Sequence, residues 1–469
     1  MGRDDIHVVM LPWSAFGHIF PFLQLSFALA KAGVHVSLVS TPKNIRRLPK
    51  PPPEIAALID LVELPLPAVD RSLLPVEAEA TVDLPFDKIQ YLKVAYDLLQ
   101  QPFKQFIAER SPDWMIIDLI PHWAVEIAQE YRIPLLCFSA YSTATLVMVG
   151  PPEFLVGDGQ KRFWSTPETM TSPPEWVSFP SSVAFRTHEA IAFHAGFFGE
   201  NASGTSDAQR MAKVLHACQA IAIRTCKEFE GEYMKLEAKI TGKPAIPVGL
   251  LQPERPPKER EVTDESWDKI FKWLDKQKPS SVVFVGFGSE CKLSKEQVCE
   301  IANGLELSEL PFLWALRKPH WAINDLDALP PVFDHWTSGR GVVHIGWAPQ
   351  TDILAHQSIG GTLFHSGWGS AIESLQFGHC LVVLPLILDQ GLNARLLVEK
   401  GLAIEVERSE DGSFSRNDIA KSLREAMVSE EGEQLRARAK EATAIFGDRE
   451  LHDQYISEFV EYLRNGVAK

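Results

Sequence analysis

Residues 361–373 read GTLFHSGWGSAIE, and this stretch gives the clearest indication of the fold. Gly361–Phe364 is an apolar run typical of a buried strand, and the glycines after it clear space where a helix would begin. Because free N–H groups and the helix dipole favour anions there, we expect a diphosphate at this point. Gly367 and Gly369 are not followed by the third glycine of the dinucleotide pattern GxGxxG, which argues against NAD.

Strand and helix signals alternate on both sides of this stretch. Short apolar strands separated by helical segments indicate parallel sheets covered on both faces. The predicted strands are His7–Leu11, Val34–Ser40, Ile59–Leu64, Trp114–Asp118, Leu135–Ser139, Ile221–Thr225, Ser281–Phe287, Phe312–Leu316, Val342–Gly346, Gly361–Phe364, Leu381–Pro385 and Ala403–Val406. We therefore predict an α/β protein with two Rossmann-like domains facing across a cleft, with ligands outside the carboxyl ends of the strands.

A proline-rich stretch, 244–257, separates the two series of strands and is typical of a linker. The predicted boundaries are 1–243 for an N-terminal domain, 244–262 for the linker, 263–450 for a C-terminal domain and 451–469 for a final helix with one apolar face. A chain of 469 residues is long enough for two such domains.

Composition and charge exclude several functions. The formal net charge of −15 argues against a nucleic-acid-binding protein. The 6 cysteines form no CxxC or Cys/His pattern, so we expect no metal site and buried thiols in a reducing compartment. The N-terminus has no signal-peptide pattern, and no apolar run approaches the roughly 20 residues of a membrane span. We expect a cytoplasmic monomer with no integral membrane segment.

Residues 150–205 are rich in proline, phenylalanine and tryptophan but show no clear period. A long irregular segment of this composition favours a wall or lid over a substrate. A packed surface excursion and a segment resting on a membrane surface are the alternatives. The aromatic candidates for contact with an acceptor substrate are Phe16, Phe86, Phe193 and Phe197.

His18 is the candidate general base. It follows the first predicted strand at the start of a helix, where a cleft would lie, and imidazole titrates near neutral pH. A capping or core role is the simpler alternative for an isolated histidine. Asp118 ends a neighbouring predicted strand, where it caps the next helix or lies behind His18 to orient the imidazole and stabilise its protonated form.

The second half supplies candidates for binding a nucleotide-sugar. The glycines before Ser289 permit close approach of a phosphate, although a tight turn alone would also explain them. Trp347 follows a strand and offers an indole for stacking, and Asp389-Gln390 follows another and offers hydrogen bonds to vicinal hydroxyls. Ser370-x-x-Glu373 also fits a capping box, which gives Glu373 a structural alternative.

The stretch from Trp347 to Gln390 resembles the signature box of plant UDP-dependent glycosyltransferases, glycosyltransferase family 1, which have the GT-B fold. The matching elements are Trp347-Ala348-Pro349-Gln350, Ile353-Leu354-Ala355-His356, His365-x-Gly367-Trp368-x-Ser370, Glu373-Ser374 and Asp389-Gln390. The resemblance extends over essentially the whole chain. Residues 40–45 (STPKNI) and 312–319 (FLWALRKP) resemble the family 91 subgroup, which often adds a sugar to an existing sugar.

The resemblance implies a donor-binding role for each matching residue. The implied assignments are Trp347, Ala348 and Gln350 for uracil and ribose, Glu373 for the ribose hydroxyls, His365, Ser370 and Ser289 for the diphosphate beside Gly367 and Gly369, and Trp368, Asp389 and Gln390 for the sugar, with Ser142 as a further candidate for the sugar or phosphate. His18 would deprotonate the acceptor, supported by Asp118.

Two positions depart from the signature box. Ser366 replaces the usual cysteine, a change between small residues from which we expect little effect. Gly369 replaces the usual asparagine, so a side-chain contact to the phosphate is missing or left to the backbone N–H. The second departure concerns donor affinity rather than donor class.

The implied reaction is a single displacement with inversion at the anomeric carbon, in which a UDP-sugar is a co-substrate and neither cofactor nor metal is required. UDP-glucose is the favoured donor and UDP-rhamnose the second choice. The expected acceptor is a sugar hydroxyl of a flavonoid or terpenoid glycoside, with direct transfer to an aglycone as the alternative. A dehydrogenase and a non-catalytic UDP-sugar- or terpenoid-binding protein are the rival functions. The final helix, Leu451–Leu463, is expected to pack back on the N-terminal domain.

Overall fold

The computed structural model describes residues 6–157, 163–254, 265–331, 333, 337 and 339–467. Within this part of the chain the strands form two parallel sheets, one 7-stranded and one 6-stranded, each flanked by helices. The predicted α/β fold class with two Rossmann-like halves is therefore confirmed.

The first sheet carries the loops on which His18 and Asp118 were predicted. Its strands are β1 (His7–Leu11), β2 (His35–Ser40), β3 (Ile59–Glu63), β4 (Trp114–Ile117), β5 (Leu135–Ser139), β6 (Ala220–Ile223) and β7 (Ala245–Pro247). Their order is β3-β2-β1-β4-β5-β6-β7. Because β1 pairs in parallel with β4, the loops that follow these two strands meet at the carboxyl edge of the sheet.

The second sheet carries the loops of the predicted donor site. Its strands are β8 (Val282–Gly286), β9 (Phe312–Leu316), β10 (Gly341–Ile345), β11 (Ile359–Phe364), β12 (Cys380–Val383) and β13 (Ala403–Glu405). Their order is β10-β9-β8-β11-β12-β13. The loops after β8, β11 and β12 are therefore neighbours at one edge, as the sequence patterns required.

Helices cover both faces of each sheet. Those of the first half are α1 (Phe16–Lys31), α2 (Pro42–Arg46), α3 (Ile89–Asp97), α4 (Gln100–Arg110), α5 (Ala124–Tyr131), α6 (Thr143–Val149), α7 (Pro152–Leu155), α8 (Thr187–Phe198), α9 (Asp207–Ala217) and α10 (Lys227–Thr241). The helices that follow are α11 (Glu265–Leu274), α12 (Lys295–Ser308), α13 (Gln350–Leu354), α14 (Trp368–Leu375), α15 (Gln390–Glu399), α16 (Arg416–Met427), α17 (Glu433–Phe446) and α18 (Arg449–Val467). None of the described helices is long and apolar enough to cross a membrane.

The first sheet extends into the segment predicted as a linker. Ala245–Pro247 pairs in parallel with β6, and Val248 and Leu250 are fully buried behind it. Short apolar residues among prolines fit both a linker and a strand, and the pairing with β6 shows that residues 245–247 form a strand. The N-terminal half thus continues past residue 243, and residues 255–262 of the predicted linker lie outside the described residues.

The aromatic stretch 150–205 is partly core rather than wall. Trp164 is fully buried, and its Nε1 donates to the carbonyl of Val149 at 2.8 Å. Trp176 likewise donates to the carbonyl of Val147 at 2.9 Å. For these residues the packed excursion, stated above as the alternative, describes the structure. A wall or lid role is left to the part around α8.

The final helix, α18, packs on the first sheet rather than on the second. Phe459 and Leu463 are fully buried in one cluster with strand residues of β1 and β4. Trp114 Nε1 donates to the carbonyl of Leu463 at 3.1 Å, and the Tyr462 ring lies 6.1 Å from the Trp114 ring. The chain therefore returns to its first half at its end.

Hydrogen bonds join the two halves around the cleft. Thr81 Oγ1 donates to Glu290 Oε1 at 2.9 Å, and Ser142 Oγ donates to Asn393 Oδ1 at 2.8 Å. The buried Arg395 of α15 is ion-paired with Glu189 of α8. These contacts bring the carboxyl edges of the two sheets against each other.

Candidate active site

His18 and Asp118 form the predicted pair. His18 Nδ1 lies 2.8 Å from Asp118 Oδ2, and Asp118 is 1 % exposed. Because a carboxylate only accepts hydrogen bonds, Nδ1 carries the proton and Nε2 of the neutral ring is left as an acceptor. Asp118 also accepts from the backbone N–H groups of Trp13 and Leu119, which fixes the carboxylate in place. The arrangement is that of a base held by an orienting acid.

Carboxylates from both halves determine the charge on His18. Burial of the ring acts to lower its pKa, but the charge and hydrogen bond of Asp118 outweigh this effect. Asp389 and Glu290 of the second half add to the attraction, so the pKa of His18 lies above its ordinary value of 6.5. The neutral ring is a stronger base than a free imidazole, which suits the removal of a proton from a hydroxyl group.

Tyr141 completes the surroundings of His18 and was not predicted. Its hydroxyl lies 3.2 Å from His18 Nε2, and the two rings meet edge to face. The tyrosine follows β5, and a strand end was its only signal in the sequence. The atom that would take a proton from an acceptor is thus hydrogen-bonded to Tyr141 in this structure.

His365 lies between two glycines that leave room for its ring. A Cβ added at Gly367 would lie 2.5 Å from His365 Nε2, and one added at Gly288 would lie 2.7 Å from Cε1. Burial lowers the pKa of His365 to about 4, although the backbone of Gly286 opposes the shift. Its Nδ1 has no hydrogen bond of good geometry among the described residues. The ring is therefore neutral and can offer an N–H rather than a charge to a ligand.

The Ser366 hydroxyl forms a hydrogen bond that a small apolar side chain could not form. Its Oγ lies 2.6 Å from the carbonyl oxygen of Gln390, at a residue with a φ of 57°. A hydroxyl is a better donor than the thiol usual at this position. The hydroxyl, which also lies 2.7 Å from the carbonyl oxygen of His365, connects the loop after β11 to the start of α15, and the expected small effect of this departure stays a prediction.

Asp389 is held by an asparagine one helical turn later. Asn393 Nδ2 donates to Asp389 Oδ2 at 2.7 Å, and Asn393 Oδ1 accepts from Ser142 across the cleft. Burial raises the pKa of Asp389, while Asn393 and the nearby His18 oppose the shift. Ser142 is fully buried in this network and positions the asparagine behind Asp389, while its predicted contact with a ligand stays a prediction.

Gln390 and Trp368 are hydrogen-bonded within the protein, and their predicted contacts with the sugar stay predictions. Gln390 Oε1 accepts from the backbone N–H of Leu386 at 2.9 Å and of Ile387 at 3.0 Å, so the amide supports the loop before Asp389. Trp368 is 3 % exposed and its Nε1 donates to the carbonyl of Arg224 at 2.9 Å. The indole faces the first half, because it is the first residue of α14 and points back along the helix.

The predicted uracil and ribose residues lie together. Trp347 is 77 % exposed, which leaves its indole free for stacking, and Ala348 packs against the core of the second half. Gln350 Nε2 donates to Glu373 Oε2 at 2.6 Å. The capping-box alternative for Glu373 is wrong, because α14 begins at Trp368 and Ser370 is already inside the helix.

The remaining predicted residues line loops or stack with one another. Ser289 and Ser370 are half-buried at the edges where β8 and α14 meet the cleft. Phe193 stacks on Phe197 with ring centroids 5.0 Å apart, and Phe86 is 62 % exposed. Phe16 begins α1, two residues before His18.

The chain is similar to a family of known proteins, to named relatives and to solved structures. A model of the family described as UDP-glucoronosyl and UDP-glucosyl transferase matches residues 269–435. UDP-glycosyltransferase 91C1 of Arabidopsis thaliana is 42 % identical over 99 % of this chain and 98 % of its own length. Soyasaponin III rhamnosyltransferase of Glycine max is 41 % identical over 98 % of this chain and 95 % of its own. The structure of Glycyrrhiza uralensis UGT73P12 complexed with glycyrrhetinic acid 3-O-monoglucuronide superposes with a TM-score of 0.77 at 22 % identity, covering 98 % of this chain and 96 % of that one.

Proposed function

Because this chain belongs to the plant UDP-glycosyltransferase family, and is therefore a UDP-dependent glycosyltransferase, we propose that it inverts the anomeric carbon in one displacement with His18 as the base. His18 Nε2 takes the proton of an acceptor hydroxyl as its oxygen attacks, and the bond from the anomeric carbon to the diphosphate breaks. UDP leaves with the electron pair. Inversion follows because only one displacement takes place.

The observation that carries this proposal is the His18–Asp118 pair, with its Nδ1–Oδ2 distance of 2.8 Å, at the edge where the two sheets meet. Asp389 of the second half acts on the same histidine, so the base and the proposed sugar-binding acid belong to one site. The N-terminus of α14, with the neutral His365 beside it, would stabilise the growing charge on the leaving diphosphate.

UDP-glucose is the donor we favour, with UDP-rhamnose second. A half-buried carboxylate such as that of Asp389, fixed by Asn393, can accept hydrogen bonds from two vicinal hydroxyls of a hexose. The similarity to a relative named a rhamnosyltransferase keeps UDP-rhamnose in the comparison.

For the acceptor we propose a sugar hydroxyl of a flavonoid or terpenoid glycoside. Two relatives named Mogroside IIIx synthase, from Siraitia grosvenorii, are 33 % identical to this chain, one over 96 % and the other over 97 % of its length. The ending -oside in that name denotes a glycoside. The aromatic surface around α8, with Phe193 and Phe197, would lie along the aglycone. Direct transfer to an aglycone is the first alternative. A non-catalytic binding protein is the second, and membership of a family of transferases argues against it.

We also infer a cytoplasmic monomer. All 6 cysteines are free, and five of them, Cys137, Cys218, Cys226, Cys291 and Cys380, are buried. Buried free thiols are ordinary in a reducing compartment. Sedimentation of the purified protein tests the assembly, and a fluorescent fusion expressed in leaf cells tests the compartment.

The donor and acceptor are tested by UDP release. UDP-glucose, UDP-rhamnose, UDP-xylose and UDP-galactose are each paired with flavonoid and terpenoid aglycones and with their monoglucosides. We expect release with one donor and only with monoglucosides. Release with aglycones alone would overturn the acceptor proposal, and silence with every pair would favour a binding protein. A reaction without acceptor controls for donor hydrolysis.

A further inference from the structure

Arg224 is a buried arginine at the cleft that the mechanism above does not use. It follows β6 of the first half and is 2 % exposed. Its Nε donates to the carbonyl of Leu250 at 2.7 Å, and its Nη2 donates to that of Leu251 at 3.2 Å. Its own carbonyl accepts from Trp368 Nε1 at 2.9 Å. Two hydrogen bonds from the guanidinium and a third to the backbone carbonyl therefore hold Arg224 at a fixed place beside α14.

The third guanidinium nitrogen, Nη1, points to the start of that helix. A Cβ built on Gly369, the second residue of α14, would lie 3.3 Å from Nη1. Among the described residues Nη1 has no hydrogen-bond acceptor, and no carboxylate forms an ion pair with Arg224. Nη1 thus lies next to the space that a side chain at position 369 would enter.

The charges around Arg224 and the N-terminus of α14 favour the binding of an anion. Burial lowers the pKa of Arg224 to about 10, and Glu373 one turn along α14 only partly offsets the effect. A buried cation next to the positive end of a helix is unfavourable unless a negative group lies between them. Among the described residues Glu373 forms neither a hydrogen bond nor an ion pair with Nη1, so the natural partner of this nitrogen is a ligand that bears negative charge.

We propose that Arg224 binds the diphosphate of the UDP-sugar through Nη1, in the space that the glycine at 369 leaves open. This rests on the proposed function, since it adds a residue to the same donor site. Because Arg224 belongs to the first half and α14 to the second, the diphosphate is held from both sides of the cleft. Guanidinium and backbone N–H groups both donate to phosphate oxygens, so the two sets of contacts act together.

The test measures binding of uridine, UMP and UDP by calorimetry to the wild type and to Arg224→Gln. A contact to the diphosphate predicts that Arg224→Gln weakens UDP binding by roughly 10- to 100-fold and leaves uridine binding within about twofold. Equal losses for uridine and UDP would show a structural role and overturn the inference. Unchanged UDP binding would overturn it as well.

Arg395→Gln is the matched control. Arg395 is also a buried arginine at the interface between the halves, but it is paired with Glu189 and Glu405. We expect this variant to lose thermal stability and to keep the wild-type ratio of UDP to uridine affinity. The same change of ratio in both variants would mean that any loosening of the interface weakens diphosphate binding, and it would overturn the specific role of Arg224.

A second pair of variants keeps the test decisive if Arg224→Gln folds poorly. Gly369→Asn alone should weaken UDP binding, because its Cβ crowds Nη1 at 3.3 Å. In Arg224→Ala the same asparagine has room and brings back an amide donor, so Arg224→Ala/Gly369→Asn should bind UDP more tightly than Arg224→Ala. No rescue would overturn the proposal. Failure of the wild type to bind UDP would refute the proposed function itself, which is a different outcome.

Discussion

His18 and His365 occupy similar places in the two halves and have opposite surroundings. Each follows a parallel strand and lies at or beside the start of a helix at the cleft. The pKa of His18 is raised, although burial opposes this, because Asp118, Asp389 and Glu290 surround it. The pKa of His365 is lowered to about 4, because burial is not compensated by any carboxylate.

The position after a parallel strand brings both histidines to the cleft, whereas the neighbouring charges decide whether the pKa of each is raised or lowered. His18 is suited to gain a proton, and His365 is suited to remain neutral and donate a hydrogen bond. One sequence signal, a histidine after a strand, therefore corresponds to two functions. The four variants below test this contrast, from the largest expected effect to the smallest.

His18→Ala removes the proposed base. We expect turnover to fall by roughly 10²- to 10⁴-fold, the usual contribution of general base catalysis, while UDP binding is unchanged. UDP release measures the first and calorimetry the second. Turnover close to that of the wild type would end the assignment and with it the contrast between the two histidines.

Asp118→Asn tests whether charge, rather than position, makes His18 a base. Turnover should fall by about 10²-fold, because the amide carries no charge to stabilise protonated His18, and its single oxygen cannot replace both Oδ2, which accepts from His18 Nδ1, and Oδ1, which accepts from Leu119 N–H. In the wild type the raised pKa of His18 places the acidic limb of the kcat/KM profile above pH 6.5. Below that limb the base is protonated and activity is lost, and in Asp118→Asn the limb should move to lower pH. An unmoved limb would mean that another group titrates.

His365→Leu tests the other half of the comparison. We expect kcat/KM for the donor to fall roughly 10-fold through the loss of one hydrogen-bond donor to the diphosphate. The acidic limb should keep its wild-type midpoint, because the pKa of His365 is about 4 and the ring is already neutral there. A shifted limb would show that His365 carries charge in the working range and would remove the contrast.

Tyr141→Phe tests the smallest of the expected effects, a slight change in the pKa of His18. The Tyr141 hydroxyl can donate to the neutral form of His18 at 3.2 Å, which stabilises that form. Its removal should raise the pKa of His18 slightly, so the acidic limb moves up by a few tenths of a pH unit, with kcat within about threefold of the wild type. A loss as large as that of His18→Ala would instead give Tyr141 a direct part in proton transfer.

The sequence predicted the parts of the site that lie at strand ends. His18 and Asp118 follow β1 and β4, which are neighbours in the sheet, so a rule about parallel strands was enough to bring them together. The same rule placed the loops of Ser289, His365 and Asp389 at one edge. The fold class followed from the same alternation of strands and helices.

Two of the residues that were missed, Asn393 and Arg224, have partners in the opposite half of the molecule, whereas Tyr141 has its partner His18 in its own half. Asn393 bonds to Ser142, and Arg224 reaches towards Gly369; nothing in either local sequence indicates the other. The resemblance implies a sugar contact for Trp368 because its motif lies at the donor loop. The indole of Trp368 points to the carbonyl of Arg224 in the first half. Side-chain direction at the first turn of a helix depends on what packs behind it, which a motif does not record.

The packing of α18 on the first sheet has a consequence for synthesis. The core that contains Met10 and Ile116 is closed in part by Ile456, Phe459 and Leu463, which a ribosome adds after every strand of the second sheet. A nascent N-terminal half therefore exposes an apolar strip throughout the time in which the second sheet is being made. The half of the protein that emerges first is completed only after the second sheet has been synthesised.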